Sequence, residues 1–157
     1  MTWKTGTVHD CIVRQLTRYT DARGWLSEIF RQDELAPEVH PAMAYVSMTH
    51  AGIARGPHEH RYQTDIFAFL SGTFRLYLWD NRSGSPTYGV RQILDTGRNN
   101  PCTVQVPPGV IHAYRNTGAY DAIVINCPNR LYAGYGREEA VDEIRWEDRT
   151  DQNLILD

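Results

Sequence analysis

Two histidines one residue apart, His58 and His60, are the groups in this sequence whose type and spacing point most directly to chemistry. On an extended strand, residues two apart project to the same face, so both imidazoles are expected to point together into the molecule. A third imidazole, His112, follows the tight turn Pro107-Pro108-Gly109, and a carboxylate, Asp65, lies shortly after the histidine pair. This set supports two chemistries. His58, His60, Asp65 and His112 could hold one divalent first-row transition metal such as Mn, Fe, Ni or Zn. Alternatively, one imidazole removes a carbon-bound proton next to a carbonyl, since histidine titrates close to neutral pH. A third reading leaves the histidines as remnants in a binding barrel without catalysis.

Charge narrows the field. The chain has 157 residues and a net charge of −3, with 16 basic residues of which only Lys4 is a lysine. Schiff-base or P-loop chemistry would have to use that one residue near the N-terminus. Arginines remain, and their forked guanidinium suits fixed recognition of phosphates. The balance of charge gives no footprint for a nucleic acid polymer. No apolar run reaches the length of a bilayer span, and no signal-peptide core opens the chain, so a cytoplasmic location is expected. Cys11, Cys102 and Cys127 lack metal-binding or redox spacing and are expected as free thiols.

The elements that must position the histidines are strands. Thr73–Trp79 alternates in a way suited to one buried face, and Gln63–Leu70 reads as the strand before it, joined by a Ser71-Gly72 hairpin. Further strands are expected over Ile12–Tyr19, Trp25–Arg31, Met43–Met48, Val90–Leu94, Thr103–Val106, His112–Asn116 and Ala122–Asn126. Glycine and proline punctuation leaves room only for short helices near Gln32–Leu35 and Arg137–Val141. Many short strands at near-regular spacing predict a single all-β domain over residues 1–157, a sandwich or barrel. The acidic segment Glu138–Asp151 reads as a solvated face.

Gly52, His58, His60, Asp65 and Gly72, followed by Pro107, Gly109, His112 and Asn116, resemble the two motifs of the cupin superfamily, a jelly-roll β-barrel. A narrower resemblance runs along the chain. Asp21-Ala22-Arg23-Gly24-Trp25-Leu26-Ser27-Glu28-Ile29-Phe30, Arg55-Gly56-Pro57-His58, Ser85-Pro86-Thr87-Tyr88-Gly89, Pro107-Pro108-Gly109-Val110-Ile111-His112 and Ile144-Arg145-Trp146-Glu147-Asp148 are similar to segments of the dTDP-4-dehydrorhamnose 3,5-epimerase family.

The resemblance implies a cofactor-free isomerase acting on a dTDP-4-keto-6-deoxyhexose. It implies catalytic roles for His58 as base, with His60 and Asp65 in support, and substrate contacts from Arg23, Glu28, Arg55, His112 and Tyr132. It also breaks in places. Asp65 stands where the family has an enolate-stabilising lysine, and Ile125 or Asn126 stands where it has an acid tyrosine. The aspartate that orients the family's base has no match before Asp157. The Arg55-Gly56-Pro57-His58-Glu59-His60 run is also similar to sugar 3,4-ketoisomerases, so both epimerisation and isomerisation stay open. Apolar residues near the N-terminus (Trp3, Ile12, Tyr19, Trp25) predict a homodimer that covers its edge strands.

Overall fold

The computed structural model describes residues 2–147, 149 and 153–157. Among them are thirteen strands: β1 Lys4–Thr5, β2 Ile12–Gln15, β3 Tyr19–Asp21, β4 Gly24–Leu26, β5 Tyr45–Thr49, β6 Ala54–Glu59, β7 Asp65–Phe69, β8 Thr73–Asp80, β9 Val90–Gly97, β10 Cys102–Val106, β11 Val110–Asn116, β12 Ala122–Asn126 and β13 Ile144–Arg145. They form a six-stranded sheet in the order β1-β9-β8-β11-β6-β13, a five-stranded sheet β2-β10-β7-β12-β5, and a separate β3-β4 hairpin. This is the expected jelly roll. Helix among the described residues is limited to 3-10 turns at Gln32–Glu34, Pro37–Val39 and Tyr135–Arg137. The helix expected over Arg137–Val141 ends at its first residue, after Gly134 and Gly136 take positive φ values.

Three expectations are corrected. Ser71-Gly72 is a corner and not a hairpin, because β7 and β8 lie in different sheets. Gly72 makes the corner at φ +61°, where a Cβ would meet the Ala122 Cβ at 2.3 Å. The strand expected over Ile12–Tyr19 is split between β2 and β3. There Arg18 pulls the chain aside, donating to the carbonyls of Leu70 and Arg98 at 2.8 Å and stacking over Trp25. The strand expected over Trp25–Arg31 is shortened to β4.

Apolar residues fill two layers. Phe74, Leu76 and Leu78 of β8 pack inward with Phe67, Phe69, Val104, Val110 and Val124. The alternate residues Tyr77 and Trp79 are buried too, on the other face, under Trp146, Ile144, Leu154, Leu156 and Trp3. Thus β8 has two covered faces where alternation alone suggested one. The five-stranded sheet differs: Val46, Met48 and Ile123 stand 61%, 46% and 44% exposed on its outer side. The three cysteines are free, as expected. Among the described residues no helix is long and apolar enough to cross a membrane.

Candidate active site

Strands β6 and β11 pair antiparallel with His58 opposite His112, which sets their rings 4.4 Å apart, edge to face. Their closeness depends on Gly56. A Cβ there would lie 2.6 Å from the His112 carbonyl oxygen and 3.1 Å from His58 Nδ1, at a φ of +79°. Only glycine combines that conformation with that approach. His60 sits just past the end of β6, its ring 5.5 Å from His58 and 5.7 Å from His112.

Asp65, at the head of β7, anchors this cluster from the opposite sheet. Its Oδ1 accepts from Gln63 Nε2 at 2.9 Å and from Asn126 Nδ2 at 2.7 Å. Its Oδ2 faces His60 Nε2 at 3.1 Å and His112 Nε2 at 3.3 Å. Both Nδ1 atoms are spent on backbone: His112 donates to the Val110 carbonyl at 3.0 Å, and His60 donates to the Asp142 carbonyl. A carbonyl can only accept, so in either neutral ring the proton is on Nδ1 and Nε2 is bare. A second proton on His60 Nε2 is what Asp65 favours.

The electrostatics follow. Burial would lift Asp65, but the His112 and His60 rings hold its carboxyl far below the usual range. Burial would lower His60, yet the bond and charge of Asp65 raise it above the ordinary imidazole value. Among the described residues no carboxylate is hydrogen-bonded to His58, and the charge of Asp65 acts on it only weakly. Burial first, then the adjacent His112 and His60 rings, push it down to about 2, so at neutral pH it carries an available lone pair.

An open cavity of about 1390 Å³ lies against this cluster. His58, His60, Arg55 and Tyr132 line it, together with Arg61, Arg130, Arg137 and Arg145. Arg55 donates from Nε to Thr49 Oγ1 at 3.0 Å and from a terminal nitrogen to the Met48 carbonyl at 2.7 Å. Asp65 and His112 are each 1% exposed and stand behind the lining. Arg23 and Glu28 do not join the cavity. Arg23 pairs with Asp21 on an exposed hairpin, and Glu28 pairs with Arg31. Asp148 lies outside the described residues.

Two features escaped the sequence reading. Asp142, in a segment whose composition predicts a solvated acidic face, accepts the backbone N–H groups of Arg61, Tyr62 and Gln63, each at 2.9 Å, and so fixes the turn that carries His60. Tyr45 lines the cavity and its hydroxyl accepts from Asn126 Nδ2 at 2.9 Å. The signal for Tyr45 was the polar alternation of Tyr45, Ser47 and Thr49; for Asp142, 82 residues from His60, no local signal exists.

A metal also has a fit. The ligand nitrogens of His58, His60 and His112 lie within 4.8 Å of one another. Backbone carbonyls on Nδ1 would orient Nε2 of His60 and His112 toward an ion.

Comparison with known proteins adds the following. The family model described as dTDP-4-dehydrorhamnose 3,5-epimerase matches residues 5–152. The "Probable low-salt glycan biosynthesis epimerase Agl13" of Haloferax volcanii is 35% identical over 126 residues, 80% of this chain and 81% of that protein. The "Spore coat polysaccharide biosynthesis protein SpsL" of Bacillus subtilis is 31% identical, over 88% of this chain and 89% of that one. The crystal structure of a dTDP sugar isomerase from Desulfovibrio desulfuricans superposes with a TM-score of 0.78 at 24% identity, covering 88% of this chain and 84% of that one.

Proposed function

The chain belongs to the dTDP-4-dehydrorhamnose 3,5-epimerase family, and from that premise we propose that it removes a proton beside the keto group of a dTDP-4-keto-6-deoxyhexose. The observation that carries this reading is His58: an unprotonated imidazole on the wall of a cavity ringed by arginines. Held that low, His58 is by itself a weak base. A diphosphate held nearby would raise its proton affinity, bringing it toward the strength the reaction needs. Asp65 favours the protonated form of His60 beneath it, and that imidazolium would polarise the substrate oxygen. The test is to incubate the protein with dTDP-4-keto-6-deoxyglucose in heavy water and follow the sugar by NMR. Deuterium entering beside the carbonyl supports the reading, and an unchanged spectrum refutes it.

Arg55 is the arginine we assign to the diphosphate, because β5 already holds its guanidinium beside the cavity. Arg55→Ala removes a charge-assisted contact worth roughly 1.5–3 kcal/mol. Calorimetric titration with dTDP should therefore show binding weakened by about one to two orders of magnitude.

We further propose that the chain is one cytoplasmic domain that pairs as a homodimer. The exposed outer face of the five-stranded sheet and the uncovered Tyr19, Trp25 and Leu26 of the hairpin are the surface that a second copy would cover. Such pairing is also the way for Arg23 and Glu28 to reach a substrate, since neither lines the cavity of its own chain. Sedimentation at low micromolar concentration should give a species near twice the 18.0 kDa chain mass.

The second reading is a metal-dependent cupin using His58, His60, Asp65 and His112, favoured by the grouping of the three imidazoles. Bound there, a divalent ion would polarise the keto oxygen. Elemental analysis with activity before and after chelation decides. We expect a chelated, metal-free protein to keep its exchange activity.

A further inference from the structure

We propose that Tyr45 is the proton donor of this site, delivering its phenolic proton from the wall opposite His58, so that the reaction inverts the carbon next to the keto group. This rests on the proposed function and goes beyond it by naming the acid and the stereochemical course.

Tyr45 and His58 come from different sheets, Tyr45 from β5 and His58 from β6, and both line the cavity. Asn126 faces Tyr45 in the β5–β12 register and divides its amide protons between two acceptors, the Tyr45 hydroxyl oxygen at 2.9 Å and Asp65 Oδ1 at 2.7 Å. The amide orientation is fixed by Asp65: rotated by half a turn, the amide oxygen would face a carboxylate. The Tyr45 oxygen is therefore an acceptor toward Asn126, and its own proton is free to point elsewhere. Burial pushes the phenol up to about 12, so it holds that proton at neutral pH. Asn126 is one of the two positions to which the family's acid tyrosine falls. A phenol thus reaches the same corner of the cavity from the neighbouring strand.

The other tyrosines on the lining do not match this. Tyr114 is 4% exposed and its hydroxyl is paired with Ser47 Oγ at 2.7 Å. Tyr62, Tyr132 and Tyr135 are 57–86% exposed on the rim, against 43% for Tyr45, whose hydroxyl is the one bonded to Asn126.

The step balances without a co-reactant. The carbon-bound proton moves to the His58 lone pair, and the electron pair of the broken C–H bond delocalises onto the keto oxygen. A proton from the Tyr45 hydroxyl then forms the new C–H bond on the other face as the pair returns to carbon. The phenolate regains a proton from water, and the His58 imidazolium releases one.

The experiment compares wild type with Tyr45→Phe on dTDP-4-keto-6-deoxyglucose in heavy water, with dTDP binding and Tm measured on both proteins. The expected result is separation of two signals. Deuterium still enters beside the carbonyl within about tenfold of the wild-type rate, while the epimerised product falls at least 100-fold, with binding and Tm unchanged. Epimer formed by Tyr45→Phe at the wild-type rate overturns the proposal, as does a wild-type product in which the carbonyl has shifted with no inverted centre. If Tyr45→Phe loses dTDP binding together with both signals, Tyr45 is a structural residue and the proposal also falls. A wild-type protein that neither exchanges nor epimerises removes the proposed function, and the inference with it.

Discussion

Replacing His58 with glutamine should lower deuterium exchange into a dTDP-4-keto-6-deoxyhexose by roughly 10²–10⁴-fold, the usual range for losing a general base. Binding of dTDP should survive, because Arg55 is held by β5 and not by His58. Asp65→Asn should cost less, since Asp65 sits behind the lining and acts on His60 and His112. The same substitution has a pH signature. His58 titrates near 6.5 unfolded and is held down to about 2 in the fold. A depressed folded value means that stability is fully present above the unfolded pKa and lost as pH falls below it. From about pH 7 to about pH 4.5 the wild type should therefore lose roughly 2–3 kcal/mol through this group alone. His58→Gln cannot take up that proton, so denaturant titrations at the two pH values should show a smaller loss in the variant. An equal loss in both proteins would mean that the fold does not hold the His58 imidazole below its unfolded value, and the depressed proton affinity would be overturned.

The histidine cluster was legible because its information is local. His58 and His60 lie two apart and a Pro-Pro-Gly turn precedes His112, so spacing marks the three rings, and the β6–β11 pairing then sets His112 against His58. What lay hidden depends on contacts between distant segments. The outer residues of β5, Val46 and Met48, are apolar, yet they are the exposed ones. Its inner face is Tyr45, Ser47 and Thr49, polar because it borders a cavity and a network of hydroxyls. Strand polarity is ordinarily read as hydrophobic side in, and a binding cavity reverses that sign locally. Asp142 escaped for a related reason. Its neighbours are acidic and solvated, and only the fold brings it to the backbone of residues 61–63. Asp65 was visible as a departure from the lysine of the family. The structure adds that Asn126, one of the two positions (with Ile125) expected at the second departure, donates to Asp65 Oδ1.

Gly56→Ala should destabilise the protein by about 2–5 kcal/mol, the sum of a left-handed conformation forced on alanine and overpacking against β11. The added methyl carbon would sit 2.6 Å from the His112 carbonyl oxygen and 3.2 Å from the Ala113 Cα, both backbone atoms that no side-chain rotation can clear. Relief requires β6 and β11 to separate where their register already shifts, between His112 and Tyr114. That separation pulls the His58 and His112 rings apart and should reduce exchange activity even in protein that remains folded. Gly52→Ala supplies the comparison. Gly52 also has a positive φ, +77°, but a Cβ there meets nothing within 4 Å. It should lose only the backbone part, about 1–2 kcal/mol, and keep its activity. Thermal and denaturant unfolding of both variants, with exchange assayed below their transitions, separates the two contributions. Equal destabilisation with activity retained in both would show that the close approach of β6 and β11 does not set the spacing of the histidines.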